Sequence, residues 1–413
     1  MTSTAQSKIL NRKNDILLVG ATYSENTGDG VIADCLEWAV HQTSPGLTIK
    51  HLDLAGRTKV GVKSVYGREL ILRLVDRLPS SIGQWVVSVG LRRLLRRLRP
   101  DWIRWVGEAD AVIISGGQLF SDANLNFPLK IGQLADICRN SGIPLSVASA
   151  GVSQDWSQKG KKLFTELADC DLRFLGFRDQ TSINNWMQQF GSRGPGPVLV
   201  RDPGLLAKEC YGIPASTEEK PPIGIGIASA IILAHHSDEV IAGAGRHSSQ
   251  AALFDFFRSS TLALNAQGHG VCLFCNGATE DAAFLKELSL DPAIAKAESI
   301  GKVKIAPIPR TGRELAQIVA GCGLIMAHRL HACVLGYSFG RPVVGLSWDT
   351  KLRSFFASVD LSEHVITQAV VLEHDVVAAV EAALCKGVDV EARDKIIAEC
   401  RAGIASVLEA TLA

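Results

Sequence analysis

The sequence predicts an α/β protein built from two doubly wound domains. Short apolar runs that are typical of buried strands alternate with helical patterns, and several runs end in glycine or polar residues. The alternation restarts after residues 213–222, a stretch rich in proline and charge that resembles a linker. The length of 413 residues also exceeds the size at which a single hydrophobic core usually stops growing. We therefore expect Rossmann-like domains at 1–212 and 223–413, with a helical tail from about residue 368.

The composition is that of an ordinary globular protein. Hydrophobic residues make up 47% and charged residues 21%, and the formal net charge is +1. These values exclude a disordered or fibrous chain. The polar N-terminus lacks the apolar core of a secretory signal, and ten scattered cysteines suit a reducing compartment. We expect a cytoplasmic protein, with peripheral contact at the inner face of the membrane left open.

The first predicted strand, Asp15–Ala21, leads into the loop TYSENTGDG and then into a helix. Asn26, Thr27, Gly28 and Asp29 fall where a helix N-cap is expected. The loop has neither the GxGxxG pattern nor the lysine of a phosphate-binding loop. It is either a plain capped turn or part of a ligand site.

Residues 57–105 are strongly basic, with twelve Lys or Arg against three acids. Helices are predicted at 66–78 and 84–99, and the second contains LRRLLRRLR with Trp102 and Trp105 close behind. Three interpretations stay open: a solvated surface helix, contact of 84–105 with an anionic membrane or lipid phosphate, and nucleic-acid binding. No nucleic-acid module accompanies the patch, so we expect no nucleic-acid partner.

Later strands of the first domain also end in glycine or polar residues. Strand 109–115 ends at Gly116 and Gly117, strand 173–177 at Arg178, and strand 198–200 at Asp202. The carboxyl ends of parallel strands share one sheet edge, where ligands commonly bind. Arg178 could instead pair with Asp179, and Asp202 could be a turn residue before Pro203.

The second domain contains one CxxC pair, Cys272 and Cys275, inside the apolar run VCLFC. No second pair at zinc spacing accompanies it, so we expect buried structural cysteines. His235, His236, His247 and His269 also lack matching ligands, and no metal is predicted.

Residues 323–351 form the most promising functional stretch. A strand at 323–326, a helix at 332–339 and a strand at 342–346 are predicted, with His328, Arg329 and His331 between the first strand and the helix. That position favours anion binding, because helix-terminal N–H groups lie beside it. Arg329 could alternatively pair with a structural carboxylate, and His331 could be satisfied by backbone.

The segment HRLHACVLGYSFGRPVVGLSWDTK resembles the signature of the polysaccharide pyruvyl transferases. Further marks follow in the family's order: NTGD at 26–29, GG at 116–117, FRDQTS at 177–182 and RDPGLL at 201–206. The resemblance spans about residues 15–356. It departs from the family at Gly204, where alanine is usual, and at His328, where a small or polar residue is common.

The resemblance implies a two-domain fold similar to the GT-B glycosyltransferases. It also implies phosphoenolpyruvate as donor substrate, no separate cofactor, and an acceptor sugar of a surface polysaccharide or its lipid-linked precursor. The product would be a pyruvate ketal, with phosphate released. The first domain would be the acceptor side and the second the phosphoenolpyruvate side.

Within that resemblance, Arg329 would bind the donor, His331 would be the general acid and Lys351 would contact phosphate. Asp349 would orient Lys351 or cap a helix. Asn26, Gly28 and Asp29 would face the interdomain cleft from the first domain, where Asn26 and Asp29 could hold sugar hydroxyls and Asp29 could act as the catalytic base. The predicted binding set is completed by Gly116, Gly117, Arg178, Asp202 and His328.

Two other functions stay open. One is a nucleotide-sugar glycosyltransferase on the same plan, although no acidic ribose-binding residue is evident. The other is a catalytically silent glycan-binding protein that keeps the fold.

Overall fold

The computed structural model describes residues 15–59, 80–122, 125–154, 156–214, 216–231, 233, 249–368 and 371–413. The predicted helix at 66–78 and three of the loop histidines (His235, His236 and His247) lie outside the described residues.

The chain divides into two compact units. Unit 1 contains residues 1–23, 36–202 and 401–413, and unit 2 contains residues 24–35 and 203–400. The division differs from the sequence prediction because residues 24–35 and 203–212 group with the second half of the chain. The Thr27 N–H, for example, donates to the Asn276 carbonyl at 2.9 Å, and the Lys208 N–H donates to the Ser338 hydroxyl at 3.1 Å.

Unit 1 is built on a parallel sheet. Within the described residues it has six strands: β1 (Asp15–Gly20), β2 (Thr48–Asp53), β3 (Ala111–Ser115), β4 (Leu145–Ala150), β5 (Leu172–Phe177) and β6 (Val198–Leu199). Their order is β2-β1-β3-β4-β5-β6. The strand order reverses between β1 and β3, which is the switch point of a doubly wound sheet.

The helices α1 to α5 connect these strands: α1 (Thr27–Thr43), α2 (Ser80–Glu108), α3 (Asn126–Ser141), α4 (Gln158–Thr165) and α5 (Gln180–Phe190). Helix α2 is longer than predicted and continues through Pro100. Trp102 and Val106 are fully buried beyond that proline, so core packing outweighs the hydrogen bond that proline cannot make. An aromatic cluster around Trp186, Phe120 and Phe177 is part of this core.

Unit 2 repeats the architecture with a second parallel sheet. Within the described residues its strands are β7 (Ile223–Gly226), β8 (Val271–Phe274), β9 (Val303–Ile305), β10 (Leu324–Ala327), β11 (Val343–Leu346) and β12 (Val365–Ile366). Their order is β12-β11-β10-β7-β8-β9, so the order reverses between β7 and β10.

The helices of unit 2 are α6 (Ala207–Tyr211), α7 (Gln250–Ala266), α8 (Thr279–Ser289), α9 (Pro292–Ser299), α10 (Gly312–Ala320), α11 (Leu330–Ser338), α12 (Thr350–Ser358), α13 (Glu373–Lys386) and α14 (Val390–Leu412). Helices α13 and α14 form the predicted helical tail, and the last part of α14 belongs to unit 1. Among the described helices, none combines the length and the apolar composition that a membrane span requires.

Candidate active site

Three neighbouring strands of unit 2 end in polar residues at one edge of the sheet. Strand β7 pairs with both β8 and β10, with Gly226 opposite Phe274 on one side and Ala327 on the other. The residues that follow these strands are Ser229, Asn276 and Arg329. Because parallel strands end at a common edge, these side chains lie in one region.

Arg329 is held by a buried carboxylate. Its Nε and Nη2 donate to Oδ2 of Asp281 at 2.9 and 2.5 Å, and Asp281 is fully buried. The second oxygen of Asp281 accepts the backbone N–H of Ser229 at 2.8 Å. Nη1 of Arg329 makes no hydrogen bond to any described residue. The Nε–Nη2 edge of the guanidinium is thus fixed by Asp281, and Nη1 keeps N–H donors for an anion.

His331 lies in the first turn of α11 and packs against the loop that precedes α1. A Cβ placed on Gly28 would lie 2.7 Å from both Cβ and Nδ1 of His331, so only glycine fits there. This contact is within unit 2, whereas the sequence prediction placed the 26–29 loop in the first domain. The structure therefore joins the loop to the His331 region.

The loop is anchored by the backbone of Asn276. The N–H and the hydroxyl of Thr27 both donate to the Asn276 carbonyl at 2.9 Å. Asn26 and Asp29 flank the anchor: the Asp29 N–H donates to the Asn26 carbonyl at 3.0 Å, and both side chains are half-buried. Asp29 lies in the first turn of α1, as the predicted N-cap pattern requires.

His328, predicted as a substrate contact, packs in the core of unit 2. It is fully buried, and its ring meets Phe257 edge-on with centroids 5.6 Å apart. Its carbonyl accepts Nε1–H of Trp348 at 2.6 Å. The structure thereby uses His328 to tie β10 to the segment after β11.

Lys351 lies at the start of α12. Its Nζ is 2.9 Å from Oδ2 of Asp349 and 5.1 Å from the centroid of the Trp348 ring. Asp349 also accepts the Leu352 N–H at 3.0 Å, so it both caps the helix and pairs with the lysine. The two alternatives for Asp349 are therefore both realised.

Gly116, Gly117 and Arg178 form a separate cluster in unit 1. Both glycines adopt positive φ, and the Gly117 carbonyl accepts the Gly151 N–H at 2.8 Å. Nη2 of Arg178 donates to Oε1 of Gln118 at 2.7 Å, and its Nε lies 3.3 Å from Asp179.

Asp179 in turn caps α5 by accepting the Ser182 N–H at 2.7 Å. The alternative expected for Arg178, pairing with Asp179, is thus observed. Asp202, the last residue of that stretch of unit 1, is 6% exposed and precedes the short 3₁₀ turn Pro203–Leu206.

The CxxC cysteines are buried, as predicted. Cys272 lies in β8 and Cys275 directly after it, both within the core. Burial raises the pKa of the Cys275 thiol to about 11, and the Asp281 carboxylate adds to the rise while Arg329 opposes it. Cys275 is therefore a neutral thiol at physiological pH.

Sequence reasoning missed Asp281, Asn276 and Ser229. Asn276 follows the VCLFC strand, and a polar residue directly after a buried parallel strand was the signal for it. Asp281 carries no such signal, because a first-turn acid on a helix is ordinary in any sequence.

Solved structures of sugar-nucleotide enzymes share this fold. A Listeria monocytogenes protein assigned as a UDP-N-acetylglucosamine 2-epimerase superimposes with a TM-score of 0.55 at 10% identity, covering 96% of this chain and 95% of its own. The Neisseria meningitidis UDP-GlcNAc 2-epimerase gives 0.52 at 11% identity, covering 96% and 99%.

At such identities the likeness shows the fold alone, and it confirms the predicted fold class of two Rossmann-like domains. No curated protein sequence matches the chain.

The polysaccharide pyruvyl transferase family model matches residues 26–350. The match begins at Asn26, in the segment that packs against His331, and extends through Thr350. It therefore includes the strand edge that carries Arg329. Because it covers well over half of the 413 residues, the chain belongs to the polysaccharide pyruvyl transferase family.

Proposed function

We propose that the protein transfers a pyruvyl group from phosphoenolpyruvate to a sugar of a surface polysaccharide or its lipid-linked precursor. The product is a pyruvate ketal, and phosphate is released. The observation that supports this most is that Gly28 packs against His331, two residues from Arg329, at one edge of the unit 2 sheet. All three residues lie in the family's motifs.

The reaction needs two carbon–oxygen bonds to form at the central carbon of the donor and one to break. Two sugar oxygens attack that carbon, and the bond to the phosphate oxygen is cleaved. The two hydroxyl protons are accounted for in net terms by the new methyl group and by the departing phosphate. The protein must therefore move protons and hold two anionic groups.

Arg329 is suited to the donor. Asp281 fixes the Nε side of the guanidinium, which leaves Nη1 to face a carboxylate or phosphate. A pre-positioned arginine loses little conformational entropy on binding, and its planar fork matches either anion. Lys351, held by Asp349, would supply a further contact to phosphate.

His331 would deliver the proton to the methylene carbon. Gly28 packs against Cβ and Nδ1 of His331. The opposite side of the imidazole ring, which carries Nε2, is therefore the side that would meet a substrate. Asp29, one residue beyond Gly28, would accept a hydroxyl proton as general base.

Helix α2 supports peripheral contact with an anionic membrane, which would suit a lipid-linked acceptor. Arg92, Arg93, Arg96 and Arg97 are exposed along its outer surface. Val89 and Ile103, also exposed, flank the arginines and could enter the headgroup boundary.

Phosphate release from phosphoenolpyruvate with candidate acceptor glycans tests the proposal. His331→Ala should lower turnover by roughly 10²–10⁴-fold, the usual contribution of a general acid. His269→Ala is the matched control, because His269 is paired with Glu381 away from the motifs.

Unchanged turnover in His331→Ala would refute the assigned role. Mass spectrometry should show one pyruvyl ketal on the glycan. Transfer of sugar from a nucleotide sugar would indicate a glycosyltransferase instead, and anion binding without product would indicate a silent member of the family.

A further inference from the structure

Two buried polar side chains at the strand edge of unit 2 have no hydrogen-bond partner among the described residues. Asn276 is 1% exposed, and both Oδ1 and Nδ2 of its amide are unpartnered. Ser229 is equally buried, and its Oγ is also unpartnered. Burying such groups without partners destabilises a protein, so native proteins seldom keep them without a use.

Both residues adjoin the groups that the proposed function assigns to the donor. The Asn276 carbonyl holds Thr27, and the next residue, Gly28, packs on His331. The backbone of Ser229 binds one oxygen of Asp281, while Arg329 binds the other. Ser229 thus adjoins the carboxylate that fixes Arg329, and Asn276 adjoins the loop that packs on His331.

The chemistry of the amide indicates what it would bind. A carboxylate or phosphate offers only acceptors, so it could satisfy Nδ2 but would leave Oδ1 without a donor. A hydroxyl group both donates and accepts, and therefore satisfies both atoms of the amide. This holds whichever way round the amide is oriented, since both of its atoms are unpartnered. The serine hydroxyl has the same dual character.

We propose that Asn276, assisted by Ser229, binds a hydroxyl group of the sugar acceptor beside the donor anion at Arg329. The identity of that ligand as the acceptor rests on the proposed function. Asn276 is then a specificity-determining residue: a buried amide that has been built to meet a hydroxyl rejects analogues that lack it, because its atoms would stay unpaired.

Thermal unfolding of the ligand-free protein gives the first test. Asn276→Leu removes an unpartnered amide at similar volume, so the melting temperature should stay the same or rise. Asn185→Leu is the matched control: Asn185 is also buried, but its Nδ2 donates to the Val152 carbonyl at 2.9 Å, so its loss should lower the melting temperature. An equal fall in both variants would overturn the proposal.

Calorimetric titration gives the second test, with methyl hexosides and phosphoenolpyruvate as separate probes. Asn276→Leu should weaken binding of the best methyl hexoside about tenfold or more and leave the dissociation constant of phosphoenolpyruvate unchanged. Ser229→Ala, a smaller change, should weaken hexoside binding in the same direction.

Several results would contradict the assignment. Loss of phosphoenolpyruvate affinity in Asn276→Leu would make the amide part of the anion site, and unchanged hexoside affinity, or no hexoside binding by the wild type, would remove the hydroxyl site. Failure of the proposed function is distinct, because a wild type that neither binds nor consumes phosphoenolpyruvate would still report on Asn276 through the melting temperature and the hexosides.

Discussion

Gly28 is the residue whose identity the structure explains most directly. A methyl group at this position would lie 2.7 Å from the His331 side chain, closer than any real contact of that kind. The glycine of the NTGD loop is therefore required by the histidine of the RLH motif, although about three hundred residues separate them in the sequence.

Gly28→Ala should consequently destabilise the protein and lower turnover together. Overpacking of this kind costs about 1–3 kcal/mol, and displacement of His331 would misplace the proposed acid. Chemical denaturation and phosphate release measure the two effects. Gly46→Ala is the control, because a Cβ there meets no described atom within 4 Å. Equal stability and equal turnover in the two variants would show that the loop accommodates a Cβ at position 28 without displacing His331.

The Arg329–Asp281 pair is the second residue-scale feature with a clear prediction. Asp281→Asn keeps an oxygen for the Ser229 N–H but removes the charge that holds the guanidinium. Breaking a buried ion pair lowers the free energy of unfolding by about 3–5 kcal/mol. The apparent affinity for phosphoenolpyruvate should fall as well, because Arg329 is no longer held in position. Denaturant melts and calorimetry would record both quantities.

A surface pair calibrates that result. Arg104 and Asp101 are both more than half exposed, with Nη2 and Oδ1 3.1 Å apart. Asp101→Asn should cost about 1 kcal/mol or less, because solvent screens exposed pairs. A similarly small cost for Asp281→Asn would mean that Arg329 is positioned by other groups.

Helix α2 carries the prediction at the scale of an element. Arg93 and Arg97 are exposed one turn apart, on a helix whose inner face buries Leu95, Trp102 and Val106. Binding to vesicles that contain anionic lipid should be strong at low salt and weak at high salt, because screening acts on exposed charges.

The double variant Arg93→Gln/Arg97→Gln should lose about 1 kcal/mol of vesicle binding per charge, measured by co-sedimentation. Lys159→Gln/Lys162→Gln removes the same charge from the exposed face of α4 and serves as the control. Equal retention of the wild type by neutral vesicles would exclude the electrostatic interpretation of α2.

At the scale of the whole molecule, the end of the chain completes the core of unit 1. The Thr411 hydroxyl is hydrogen-bonded to Ser146 of β4 at 2.7 Å, and both residues are buried. Val407 and Leu408 of the same helix are also buried, and Gly403 lies close to Val200. Residues 401–413 thus belong to a unit whose other residues end at Asp202.

Thr411→Val should lower the stability of unit 1 by about 1–3 kcal/mol, since it leaves the buried Ser146 hydroxyl without this partner. Hydrogen exchange would detect the change as faster exchange along β4. Thr165→Val, which removes only a bond to the Lys161 carbonyl within α4, should have a smaller effect. Unchanged hydrogen exchange along β4 in Thr411→Val would contradict this role of residues 401–413.

The sequence by itself determined the fold class and the motif that defines the family. Strand–helix alternation follows from local hydrophobic patterning, which is legible without tertiary information. The positions of Arg329 and His331 beside a helix start follow from the same local rules, as does the burial of Cys272 and Cys275.

Tertiary structure alone decided which residues surround that motif. Nothing in the pattern around Asp281 shows that its carboxylate would hold Arg329, and the packing of Gly28 on His331 joins segments far apart in the chain. Local patterns report burial and dihedral preference, whereas such pairings depend on which strands become neighbours in the sheet. For the same reason, only the structure shows that His328 is a core residue. Asn276 likewise became a candidate ligand-binding residue only through its buried, unpartnered amide.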